Sequence, residues 1–127
     1  MKEPILYIDI SEVREGKLSE LETAIDELIA FIKEKVPRLI FYSVYLSENR
    51  RYMTVVQMHP DTESLEYHIE VGTPAFSKFR GLLQLNSIDL YGKPSENLLL
   101  QLNRKAKLLG TNCTLTIHEL REGIYKF

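Results

Sequence analysis

A chain of 127 residues is long enough for one hydrophobic core and too short for two independent cores, so we expect a single domain over residues 1–127. Its 16 Lys and Arg residues nearly balance its 18 Asp and Glu residues, which gives a net charge of -2. The absence of a long basic run argues against nucleic acid or an anionic membrane as partner and favours small molecules or proteins.

The N-terminal apolar stretch is interrupted by Asp9 and is too short for a signal peptide or a transmembrane helix. We therefore expect a cytoplasmic protein with no membrane partner. The single cysteine, Cys113, has no partner for an internal disulfide, and the spacing of His and Cys residues resembles no zinc site. We expect Cys113 to be a packing residue and predict no metal site.

The first part of the chain predicts a strand, a helix and a hairpin. Residues 5–10 are rich in β-formers and are followed by a polar loop. Apolar residues then recur at helical spacing until Pro37, which predicts a helix over residues 17–35. Residues 39–46 and 51–58 are β-branched and aromatic, and a polar turn between them predicts a hairpin.

A second helix and a fourth strand follow the hairpin. Asp61 or Thr62 can cap the helix. We expect Gly72 to interrupt this helix and Pro74 to restart it, because proline suits the first turn of a helix. Residues 83–91 predict the fourth strand.

The order βαββαβ over residues 1–92 predicts an α+β protein with the ferredoxin-like fold, a four-stranded antiparallel sheet with both helices on one face. The hairpin strands present apolar or aromatic groups on both sides, so the opposite face needs a cover. A second copy of the sheet would supply it, and we predict a homodimer through the sheet faces. Ser43, Thr54 and Gln57 fit the alternative, a partly wet face.

Residues 93–127 form a C-terminal extension. Ser95 can cap a helix that ends at Gly110. The apolar stripe of this helix comprises Leu98, Leu102, Ala106 and Leu109. Residues 113–118 alternate between apolar and polar, which is typical of a half-exposed edge strand. We expect both elements to be ordered, and the sequence leaves open whether they dock on their own subunit or on a partner.

The second helix carries the stretch EYHIEVGTPAFSKF. This stretch and the order of the elements resemble the antibiotic-biosynthesis-monooxygenase type of dimeric α/β barrel over about residues 5–91. Members of that family often show a helix with A-x-x-x-H followed by Ser/Thr-Pro-x-Phe, and Ser64, His68 and residues 73–76 occupy these places. The chain contains no tryptophan, and Gln57-Met58-His59 stands where relatives often have Glu-x-Trp. Haem degradation is therefore disfavoured.

The resemblance implies oxidation of a small aromatic or quinol-type molecule without a cofactor. Such relatives need a base, a partner for the oxyanion and a dry cavity. We predict His68 as the base and Arg80, six residues after Pro74, as the oxyanion partner in a cavity between sheet and helices. The alternatives are a core histidine with satisfied hydrogen bonds at position 68 and a surface arginine at position 80.

Three further residues, His59, Phe76 and Tyr42, complete the predicted ligand pocket. Pro60 also allows His59 to be simply the end of a strand, and strand aromatics such as Tyr42 often belong to a core or a dimer interface.

Asp9 and Asp89 fall on strands expected to be neighbours, so either could orient a histidine of the pocket, but we expect both to lie at strand ends in water. We expect His118 to face solvent.

Two hypotheses about function remain open. One is a cofactor-independent monooxygenase-like enzyme, and the other is a non-catalytic member that binds a small ligand or a protein partner.

Overall fold

A computed structural model describes residues 3–126, within which five strands form one sheet and three α-helices pack on one of its faces. In chain order the elements are β1 (Ile5–Val13), α1 (Leu18–Lys35), β2 (Phe41–Leu46), β3 (Tyr52–His59), α2 (Thr62–Ser77), β4 (Leu83–Tyr91), α3 (Glu96–Leu109) and β5 (Thr114–His118). A 3-10 turn, Lys78–Gly81, continues directly from α2. The predicted ferredoxin-like order and the C-terminal helix and strand are both confirmed.

The strands lie in the order β2-β3-β1-β4-β5, with β1 at the centre. The first four strands pair antiparallel, whereas β5 runs parallel to β4. A parallel pair needs a crossover connection, and α3 provides it. Strand β5 is therefore an edge strand, as its alternating sequence predicts.

The two faces of β1 differ in chemistry. The side chains that face the helices are buried and comprise Ile5, Tyr7, Asp9 and Ser11. The opposite face, which we call the outer face, carries Leu6, Ile8 and Ile10, all partly exposed. The outer face is thus apolar at the centre of the sheet. Within residues 3–126, no helix combines the length and the apolar character needed to cross a membrane.

Helix α2 is continuous, so the break expected at Gly72 is wrong. The helix tolerates Pro74, and in the preceding turn the Thr73 hydroxyl donates to the Ile69 carbonyl at 2.7 Å. Gly72 has a packing role instead, because a Cβ there would lie 2.6 Å from Cζ of Phe76. The Phe76 ring lies against the space that this glycine leaves.

Helix α3 docks on its own sheet and beside α2. The Ser95 hydroxyl accepts from the Leu98 amide at 3.0 Å, which confirms the predicted cap, and donates to Oε1 of Glu66 on α2 at 2.5 Å. The whole predicted apolar stripe of α3 is buried. The C-terminal end of α3 also approaches β4 closely, since a Cβ on Gly110 would lie 2.3 Å from the Leu85 carbonyl oxygen.

We expect the substitution Gly110→Ala to destabilise the protein by about 2–3 kcal/mol, because α3 must move off the backbone of β4 to admit a methyl group. Gly81→Ala is the matched control, since a Cβ at Gly81 meets nothing within 4 Å. Urea denaturation followed by circular dichroism measures both. Equal free energies of unfolding for the two variants would show that the packing of α3 on β4 is loose.

Candidate functional site

Charged and polar side chains are buried where β1 and β3 face helices α2 and α3. We call this group the buried polar cluster, and its members are Tyr7, Asp9, Gln57, His59, Ser64, His68 and Lys105. Asp9 and Lys105 are only 4% and 9% exposed, which is rare for charged residues unless they are paired. The cluster is therefore the candidate site.

Asp9 is the centre of the cluster. The Tyr7 hydroxyl donates to Oδ2 of Asp9 at 2.5 Å, and Nζ of Lys105 donates to the same oxygen at 3.4 Å. The ammonium also lies 4.4 Å from the ring centroid of Phe76 and 4.8 Å from that of Tyr7. Oδ1 of Asp9 is buried and has no hydrogen-bond partner among the described residues. The carboxylate thus keeps one oxygen free for a further donor.

Burial shifts the proton affinities of both neighbours of Asp9. It raises the pKa of Tyr7 well above 10.0, and the charge of Asp9 adds to this effect. Burial lowers the pKa of Lys105 from 10.5, although the attraction and hydrogen bond of Asp9 oppose the shift. Tyr7 is consequently a neutral donor at physiological pH.

His59 is held by two neighbours. Its Nε2 lies 2.7 Å from Oε1 of Gln57, and its Nδ1 lies 2.7 Å from the Ser64 hydroxyl. Because an amide oxygen only accepts, Nε2 carries the proton and Nδ1 accepts from Ser64. Burial lowers the pKa of His59 to about 4, so the ring is neutral. Both ring nitrogens of His59 therefore have hydrogen-bond partners, and these two bonds fix the orientation of the ring.

His68 is surrounded by rings but has no hydrogen-bond partner. Its ring centroid lies 5.5 Å from those of His59 and Phe76 and 5.6 Å from that of Tyr42. Both of its ring nitrogens are buried without a partner among the described residues. Burial, with the charge of Lys105, lowers its pKa to about 2. His68 thus offers one free donor and one free acceptor beside the Asp9–Lys105 pair.

The structure brings together four of the five residues predicted for the site: His59, His68, Tyr42 and Phe76. Their role as a ligand pocket stays a prediction. The expectation that Arg80 lines the cavity is wrong, because Arg80 is exposed and is absent from the residues that line it. The 3-10 turn after α2 has about three residues per turn instead of 3.6 and directs Phe79 inward.

The expectation that Asp9 meets water at a strand end is also wrong, since Asp9 is buried in the middle of β1. Asp89 and His118 lie away from the cluster. Nε2 of His118 is 2.8 Å from Oδ1 of Asp89, and its ring stacks on Tyr91, so His118 is half-buried and not simply solvent-facing.

Lys105 was not among the residues predicted for the site. A signal for it exists in the sequence, because Lys105 lies three residues after Leu102 and seven after Leu98 and therefore shares the apolar stripe of α3.

Two spaces meet at Phe76 and Lys105. A buried cavity of about 30 Å³ lies beside Asp9, Tyr42 and these two side chains, with room for a water molecule or two. A groove of about 270 Å³ lies between α2 and α3. Phe76 and Lys105 line both spaces, so they form the wall between them.

The chemistry of the cluster is that of proton transfer. Asp9 offers a carboxylate base, Lys105 an ammonium and His68 a neutral imidazole, all in a water-poor interior. In the part of the chain from residue 3 to residue 126, no group of three or more His, Cys, Asp or Glu side chains is arranged to hold a metal ion.

We expect His68 to make the protein sensitive to acid. Its pKa is about 2 in the folded protein and 6.5 ordinarily, so the unfolded chain binds the extra proton as pH falls below 6.5. Stability is full above that pH and falls below it, by about 2 kcal/mol between pH ~7 and pH ~5 for one such histidine.

The substitution His68→Leu should therefore reduce the loss of stability between these two pH values by about 2 kcal/mol in urea denaturation. Phe76→Leu is the control, because it alters the packing around His68 without removing a titrating group. An unchanged pH dependence in His68→Leu would mean that the imidazole is not held neutral.

The structure of this protein is similar to several solved structures, although no protein-family model and no curated protein matches its sequence. MupZ from Pseudomonas fluorescens is 14% identical with a TM-score of 0.76, and the match covers 98% of this chain and 96% of that one. SnoaB, a cofactor-independent oxygenase from Streptomyces nogalater, is 13% identical with a TM-score of 0.61, covering 72% and 94%.

An antibiotic biosynthesis monooxygenase candidate from Bacteroides thetaiotaomicron is 17% identical with a TM-score of 0.56, covering 68% of this chain and 84% of that one. The TM-scores establish a shared fold, so the expected ferredoxin-like α+β fold is confirmed. The match to MupZ extends over the C-terminal extension, whereas the matches to SnoaB and the Bacteroides protein leave 28% and 32% of this chain uncovered.

Proposed function

We propose that the protein is a cofactor-independent, monooxygenase-like enzyme that acts on a small aromatic or quinol-type molecule at the buried polar cluster. The observation that carries the proposal is the free Oδ1 of Asp9, a buried carboxylate oxygen on a residue that lines the cavity. An unsatisfied buried polar group costs about 1–3 kcal/mol of stability, and a catalytic role accounts for its presence.

The proposed reaction begins with proton transfer. An acidic O–H or C–H group of the substrate gives its proton to Oδ1 of Asp9, and the electron pair stays on the substrate. The resulting anion reduces molecular oxygen. A quinol then reacts with one dioxygen to give the quinone and hydrogen peroxide, whereas the methylene group of an anthrone reacts with one dioxygen to give a carbonyl group and water. His68 does not itself line the cavity but contacts Phe76, which does, so its free nitrogens would hold the substrate oxygen once the Phe76 ring is displaced.

Two features support cofactor-independent oxidation as the reaction. The fold is shared with SnoaB, a cofactor-independent oxygenase. The reaction also needs nothing from the protein except a base, hydrogen bonds and a dry interior, which are what the buried polar cluster contains.

One observation favours the alternative, a non-catalytic member of the superfamily. The buried cavity of about 30 Å³ is smaller than an aromatic ring, so a substrate enters only if a wall residue moves. Under this alternative the cluster is structural, and a small ligand or a protein partner binds at the surface.

Oxygen uptake against a panel of hydroquinones and anthrones tests the proposal. We expect turnover by the natural chain, and a loss of kcat of about 10²–10⁴-fold in Asp9→Asn, because this change removes the base. His68→Ala should raise KM or lower kcat, because it removes the hydrogen bonds to the substrate oxygen.

Asp89→Asn is the matched control, since Asp89 lies on the neighbouring strand with its carboxylate paired to His118, away from the cluster. It should keep full activity. Absence of uptake with every substrate, or equal rates in Asp9→Asn and the natural chain, would favour the non-catalytic alternative.

We also propose that the protein is a homodimer through its outer face. Ile10 and Phe41 are 37% and 38% exposed there, and Tyr45 is 59% exposed. With the partly exposed Val56 and Met58 they form a contiguous apolar surface across β1, β2 and β3. A second copy of the same sheet would cover this surface.

Sedimentation velocity tests the dimer. We expect Ile10→Arg to shift the population to monomers, because it places a charge at the centre of the interface. Ile29→Arg is the matched control, because Ile29 is also 37% exposed but lies on α1, on the other side of the sheet. A natural chain that sediments as a monomer at micromolar concentration would refute the proposal.

A further inference from the structure

We infer that Lys105, supplied by the C-terminal helix α3, is the catalytic cation that binds the anionic oxygen of the substrate at the wall between cavity and groove. The inference rests on the proposed function, because the anion arises from proton transfer to Asp9. It assigns to Lys105 the role that the sequence had suggested for Arg80, which the fold places at the surface.

The donors of Lys105 are only partly used. Its Nζ hydrogen-bonds to one oxygen, Oδ2 of Asp9 at 3.4 Å, and otherwise faces the rings of Phe76 and Tyr7. An ammonium has three N–H groups, and an anionic oxygen accepts them more strongly than the face of a ring does. A substrate oxyanion can therefore replace a ring contact without breaking the bond to Asp9.

Charge conservation within the cluster supports the same role. Before proton transfer, the negative charge of Asp9 balances Lys105. After transfer to Oδ1 of Asp9, the negative charge is on the substrate oxygen and still lies beside Lys105. The low-dielectric interior thus never contains an unpaired charge, which is the condition for stabilising a developing anion there. Within residues 3–126, Lys105 is the one cation that lines the cavity.

The position of Lys105 also indicates the path by which a substrate enters the cavity, which is from the groove between α2 and α3. Lys105 and Phe76 separate the buried cavity from the groove between α2 and α3. The volume of that groove, about 270 Å³, is close to the lower end of small-molecule pockets, about 300 Å³. Displacement of the Phe76 ring would connect the two spaces. The ring is held by packing, against Gly72 among its neighbours, and by its contact with the Lys105 ammonium, which a substrate oxyanion would replace. A phenolic or enolisable group that enters from the groove meets Lys105 before Asp9, because Lys105 lines both spaces and Asp9 lines only the cavity.

The test uses para-nitrophenol, a phenol whose anion absorbs visible light and whose neutral form does not. We expect the natural chain to bind the probe as its anion at a pH where most of the free probe is neutral. Lys105→Met should reduce the fraction of bound anion at least tenfold, and Lys105→Arg should retain part of it because the charge remains.

Lys107→Met is the matched control, because Lys107 lies on the same helix but is exposed and lines neither the cavity nor the groove. This variant should ionise the bound probe as the natural chain does. The inference is overturned if a folded Lys105→Met variant ionises the probe as well as the natural chain, or if Lys107→Met has an effect equal to that of Lys105→Met.

Lys105→Met leaves Asp9 buried without its counter-charge, so its fold is checked by circular dichroism and thermal unfolding. If it does not fold, a crystal structure of the natural chain with para-nitrophenol decides the question. A phenol oxygen within hydrogen-bond distance of Nζ of Lys105 supports the inference, and an oxygen bound elsewhere overturns it.

The two proposals fail in different ways. Ionised probe without oxygen uptake from any substrate would leave Lys105 as an anion-binding residue and refute the oxygenase. Full oxygen uptake by a folded Lys105→Met variant would support the oxygenase and refute the role of Lys105.

Discussion

The ion pair between Asp9 and Lys105 links β1, the central strand of the sheet, to helix α3. Each charge costs several kcal/mol to remove from water, and loss of one partner of such a pair costs about 3–5 kcal/mol. The position and orientation of α3 are therefore fixed by this ion pair as well as by the burial of its apolar stripe. Tyr7, Phe76 and His68 pack around this pair, so the cluster and the docking of the C-terminal extension depend on each other.

Most of the fold was predictable from local sequence patterns. The hairpin strands and β4 follow from β-branched and aromatic runs, and α1 and α3 follow from apolar residues at helical spacing with Ser95 as a cap. The error at Gly72 arose because the prediction considered the backbone freedom of glycine and not the side chain that lies four residues later on the same helix. Glycine there admits the ring of Phe76, and this contact is invisible in a pattern that treats glycine only as a helix breaker.

The site was predictable only in part. His68 falls on the apolar side of α2, so its burial follows from helical periodicity, as does its proximity to Phe76. Asp9 alternates with Tyr7 in β1, which indicates a shared face, but a strand pattern does not show which face the helices cover. The pairing of Asp9 with Lys105 joins distant parts of the chain, and no local spacing encodes it.

The separation of Asp9 and Lys105 by 96 positions has a consequence during protein synthesis. At about 5–20 residues per second, a ribosome adds α3 roughly 5–20 s after β1. Throughout that interval the nascent chain holds a carboxylate without its cation, and water must solvate it. The interior around Asp9 can close only when α3 has been synthesised. Each new molecule therefore gains its candidate site well after β1 has been made, and a chain released before α3 would carry an uncompensated charge into its core.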